Sequence, residues 1–79
     1  MASITELKQD LEQANHDISM AQGRMARQRE VMRGLEADGH DAAQAKSLFR
    51  DIEDGLETML AHREHIAREL ELAEVRART

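Results

Sequence analysis

Small or apolar side chains recur along the first half of the chain at Ile4, Leu7, Leu11, Ala14, Ile18, Ala21, Met25, Met32 and Leu35, with Gln28 as the one polar member. The steps alternate between three and four residues without a slip, which is the a/d pattern of a left-handed coiled-coil seam. Ser3, with Glu6 three residues on, has the form of a capping box that starts a helix. The stripe stops at Asp38-Gly39-His40-Asp41. Glycine suits the left-handed backbone just past a helix end, and Asp41 with Gln44 makes a second capping box. The pattern therefore predicts a helix over about 4–37, a turn at 38–41 and a second helix over about 42–76.

The second half carries its own stripe at Ala42, Ala45, Phe49, Ile52, Leu56, Met59, Arg63, Ile66, Leu70 and Ala73. If the chain folds back near Gly39, Leu35 faces Ala42 and their numbers add to 77. Every later layer keeps that total: Met32 with Ala45, Gln28 with Phe49, Met25 with Ile52, Ala21 with Leu56, Ile18 with Met59. Ala14 with Arg63, Leu11 with Ile66, Leu7 with Leu70 and Ile4 with Ala73 complete the set. No layer sets alanine on alanine, so large and small residues interdigitate. The expectation is an all-α fold, a two-helix antiparallel coiled-coil hairpin roughly 50 Å long at 1.5 Å per residue.

Composition agrees with helices and argues against strands. The chain of 79 residues has no proline, tryptophan or tyrosine, one phenylalanine (Phe49), and 34% charged residues. It has no cysteine, which removes disulfides and thiolate metal sites. Neither a signal-peptide pattern nor a membrane-length apolar run is present, so a cytoplasmic protein without a membrane partner is expected. The formal net charge of −5 weighs against nonspecific nucleic-acid binding.

Met20, Val31, Leu48, Leu60, Leu72 and Val75 lie outside the seam. In the hairpin register Val31 and Leu48 meet on one flank, while Leu60 sits on the other beside Asn15. A second hairpin over such a flank would make a four-helix bundle, so a homodimer is expected. Arg63 breaks the seam opposite Ala14, and its stem could lie over that alanine while the guanidinium reaches Asn15 or Asp17. Gly23, Gly34 and Gly55 interrupt the helices. Gly23 and Gly55 fall at nearly one level, either as a notch for an approaching helix or as tolerated surface glycines.

Candidate chemistry is sparse. His16 is outward-facing, and His62 and His65 are only three apart on a flank, so neither a metal nor another cofactor is expected. His62 could instead pair with Asp17 across that flank. Arg24, Arg27, Arg29 and Arg33 make the end of the first helix basic but divide between both flanks. No nucleophile with a base and no phosphate-binding loop is visible, so an enzyme is not expected. The leading expectation is a self-associating helical module that presents helix faces to a protein partner. The interaction candidates are Val31, Leu48, Leu60, Arg63, Arg24 and Arg27. The alternative is a small RNA-binding hairpin dimer using the Arg24–Arg33 segment.

Gly23-Arg24-Met25-Ala26-Arg27-Gln28-Arg29 and Leu35-Glu36-Ala37-Asp38-Gly39-His40-Asp41, with the later Leu56, Met59, His62-Arg63 and Glu69-Leu70, also carry a resemblance. They resemble small uncharacterised helical-hairpin proteins of α-proteobacteria such as rhizobia, most distinctively in the Leu-Glu-x-x-Gly-His-Asp turn. Many of those proteins have threonine after that aspartate, where this chain has Ala42. The resemblance spans roughly residues 20–70 and implies a bacterial source, but no activity and no site residues.

Overall fold

The computed structural model describes residues 2–79; Met1, included in the single-hairpin reading, lies outside them. Among the described residues the chain forms two helices, α1 (Ile4–Ala37) and α2 (Ala43–Arg78), packed antiparallel. At the start of α1 the Ser3 hydroxyl oxygen accepts from the Glu6 amide at 3.1 Å. The same hydroxyl donates to the Glu6 carboxylate at 3.2 Å, so that carboxylate meets the Ser3 side chain where a capping box would offer it the Ser3 amide.

The reversal is a Schellman turn. His40 N donates to Leu35 O at 2.9 Å and Gly39 N to Glu36 O at 3.1 Å, which satisfies carbonyls the helix itself leaves open. Gly39 has φ of 75°, a left-handed conformation that glycine adopts without a Cβ clash. On the other side of the turn the Asp41 carboxylate accepts from Ala43 N at 2.9 Å, two residues on rather than at Gln44. Ala42, at φ −102° and ψ 11°, is thereby held outside the regular helix, and α2 begins at Ala43. It also runs to Arg78, beyond the expected end, where both the amide and the hydroxyl of Thr79 donate to Arg76 O.

Burial tests the seam position by position. All of the twenty predicted seam residues are buried or half-buried. Among the other described residues only Gly23, Gly55, Leu60 and Glu74 are not exposed, so the stripe read from the sequence is the stripe the fold covers. Contacts between the helices centre on the predicted register. Leu7 and Leu70 share a core cluster with Ala14 and Ile66, onto which Ile4, Leu11 and Ala73 pack. Arg63 reaches Asn15 and Arg29 lies over Phe49, two pairs whose numbers add to 78.

Alternation of large and small has an asymmetric consequence. An alanine is covered by a long side chain opposite but cannot cover that side chain in return. Ala14, Ala21, Ala42 and Ala45 are accordingly buried, while their partners Arg63, Leu56, Leu35 and Met32 stay half-buried. No side chain of the core is shielded to below 2% exposure.

The molecule is a rod of 63 × 14 × 14 Å, longer than the helix rise alone because the turn and caps extend past the helix ends. Its radius of gyration is 17.9 Å, against about 11.6 Å for a compact chain of this length. It exposes 6038 Å² of surface, where a compact monomer of 9.0 kDa would expose about 4,900 Å². Among the described residues no helix is long and apolar enough to cross a membrane.

Candidate interaction surface

The half of the rod far from the turn is the better closed: Leu7, Ile18, Ile66 and Leu70 are each less than a tenth exposed. Towards the turn, Met25, Gln28, Met32 and Leu35 from α1 and Phe49, Ile52, Leu56 and Met59 from α2 are all half-buried. The two flanks of this segment then differ. On one flank the guanidinium of Arg29 stands 5.5 Å from the centre of the Phe49 ring, a favourable cation–π arrangement. Beside it, Lys46 Nζ is 3.7 Å from Glu36 Oε1. Gln28 reaches across the seam to donate to Ala45 O at 2.9 Å, which explains how an amide is tolerated there. That flank is covered.

The opposite flank is open. Val31 from α1 and Leu48 from α2 are each 50% exposed and sit at adjoining levels of the rod. Next to them is a shallow groove of about 220 Å³, lined by Ala21, Arg24, Leu48, Asp51, Ile52, Gly55 and Met59. Its floor is apolar and its rim carries one charge of each sign, Arg24 and Asp51. A Cβ built on Gly55 would meet nothing within 4 Å, so the missing side chain leaves a dent in this flank. The periodicity that produces the surface is simple: Arg24 and Val31 are one heptad apart on α1, as Leu48 and Gly55 are on α2.

The structure thus brings three of the six interaction candidates, Arg24, Val31 and Leu48, to one flank. Leu60 and Arg63 belong to the other: Leu60 is half-buried, and Arg63 Nη1 donates to Asn15 Oδ1 at 3.4 Å with its stem in the seam. Arg27 is exposed on the outer face of α1. The basic segment is dispersed, since Arg29 covers Phe49 and Arg33 bonds Glu30 at 3.1 Å. The Arg29–Phe49 contact was not read from the sequence. Its signal was the near-constant total of the two numbers, applied to a flank position as well as to the seam.

His65 Nε2 lies 3.0 Å from Glu69 Oε1, one turn along α2. Among the described residues no group of three or more histidine, aspartate or glutamate side chains gathers as a metal site would require. A second cleft, about 330 Å³, lies at the open end of the rod between Leu7, Leu72 and Ala73, edged by Glu69 and Arg76. Leu72 is exposed there, and Ala2 also lines the cleft.

Comparison of the chain with known protein families, curated proteins and solved structures finds no match.

Proposed function

We propose that the protein is a helical interaction module that associates with itself and then offers its remaining helix faces to a protein partner. The observation that carries the proposal is the run of half-buried seam residues from Met25 to Leu35 and from Phe49 to Met59, continuous with exposed Val31 and Leu48. Two helices alone leave long side chains standing over alanines. A third and fourth helix would complete their burial, as in a four-helix bundle. Apolar surface yields about 25 cal/mol per Å² when it is removed from water, so the unfinished core is a driving force for association.

Sedimentation velocity over about 5–500 µM tests the reading, because mass action shifts a weak dimer across that range. A concentration-dependent rise from the monomer to the dimer mass is expected. A monomer at every concentration would overturn the proposal.

A further inference from the structure

We infer that the partner on the open flank is a second copy of this chain, docked antiparallel with Leu48 of each copy seated over Gly55 of the other. The inference rests on the self-association just proposed and adds the surface and the pairing. Leu48 and Gly55 lie seven residues apart on α2, two helical turns or about 10.5 Å, and so face nearly the same way. One is a half-exposed knob and the other a dent with no atom within 4 Å of where a Cβ would stand. A knob and a dent on one helix face fit each other only when a second copy is turned end for end. A two-fold axis passing between Asp51 and Ile52 does this, and it makes both contacts at once, as an isologous interface requires.

The rim charges obey the same axis. In the hairpin register Arg24 is level with residue 53 of α2, and the axis carries that level to residue 50 of the second copy. Arg24 thereby comes within about one residue rise, ~1.5 Å along the rod, of the second copy's Asp51. The reciprocal pair forms on the far side. Within one hairpin Arg24 and Asp51 both border the groove, so the surface is its own electrostatic complement. The axis also sets Asp41, at the turn, level with the second copy's His62.

The extent of the surface sets the class of interface. From Asp41 to His62 the face runs about 32 Å, and at a width near 14 Å it covers about 450 Å² on each copy. The total of about 900 Å² is below the 1,200 Å² of standard stable interfaces, so the pair belongs with weak, transient contacts.

Mixing two single-cysteine variants tests the geometry, since the native chain has no cysteine. Leu48→Cys protein mixed with Gly55→Cys protein should form the mixed disulfide at least about tenfold faster than Leu72→Cys mixed with Gly55→Cys. Leu48→Glu and Gly55→Leu should each weaken the dimer by tenfold or more in sedimentation. Both should keep the native helical fold by circular dichroism, because Leu48 is half-exposed and a Cβ at Gly55 meets nothing within 4 Å. Arg24→Glu alone should weaken association, and Arg24→Glu with Asp51→Arg should restore it. A dimer that forms but ignores these changes overturns the Leu48–Gly55 pairing and leaves self-association standing. A chain that never dimerises overturns both.

Discussion

Leu70 and Leu72 provide a matched experiment in the packing of the rod. They are the same residue type, two positions apart on α2, so helix propensity changes equally when either becomes alanine. Their burial differs: Leu70 is 9% exposed and Leu72 is 55% exposed. Leu70 lies in the cluster with Leu7, Ala14 and Ile66, where its loss leaves a gap that neighbours on a two-helix rod close only in part. Fully burying a leucine side chain is worth about 1.5–3 kcal/mol, and an imperfectly filled gap adds to the cost of deletion. Leu70→Ala should therefore lose about 2–3 kcal/mol. Leu72→Ala should change stability by about 0.5 kcal/mol or less, as surface substitutions do. In thermal melts followed by circular dichroism at low micromolar concentration, the first variant should melt about 8–24 °C lower and the second within a few degrees of native. Equal losses at the two sites would refute the assignment of Leu70 to the seam and Leu72 to the surface.

The other expectations concern the turn and the interruptions of the helices. Gly39→Ala forces a Cβ into a left-handed backbone and should cost about 1–2 kcal/mol in urea unfolding. Asp41→Ala removes the acceptor for Ala43 N and should cost about 1 kcal/mol by the same assay. Gly34→Ala should stabilise by about 0.5–1 kcal/mol, because the added methyl meets nothing and the helix propensity improves. Arg29→Ala uncovers the Phe49 ring and should lose about 0.5–1 kcal/mol, with a loss that Arg29→Lys reduces.

The hairpin was legible because its signals agree across levels. Two unbroken stripes, and a glycine stop and an aspartate start with one residue between them, leave the chain one way to bury both stripes. Gly39 serves as the sequence suggests, whereas Asp41 stands one residue before the N-cap, Ala42, and bonds Ala43 N rather than Gln44, so α2 starts at Ala43. Whether an aspartate carboxylate closes on the second or third amide depends on the backbone of the turn, which Ala42 anchors by its own burial. Gln28 looked like a flaw in the seam. Its bond to Ala45 O depends on a carbonyl of the facing helix, which no local pattern reveals.

The open flank was legible only in part. Val31 and Leu48 stood out as apolar positions off the stripe, and their meeting followed from the register. Leu60 stood out equally, yet it is half-buried on the other flank. The half-burial of Met32, Leu35 and Leu56 was hidden by the same large-on-small alternation that identified the register. Fit is a property of the two facing side chains, whereas exposure depends on what lies beyond the pair. That is a property of the number of helices, and a two-helix rod has none to spare.

Methyl NOE spectroscopy on the monomer addresses the central claim, the antiparallel register, most directly. Close methyl contacts should join Leu7 to Leu70, Leu11 to Ile66, Ile18 to Met59 and Met25 to Ile52. Contacts displaced by a heptad, such as Ile18 to Ile66, or no contacts between the halves of the chain, would contradict it.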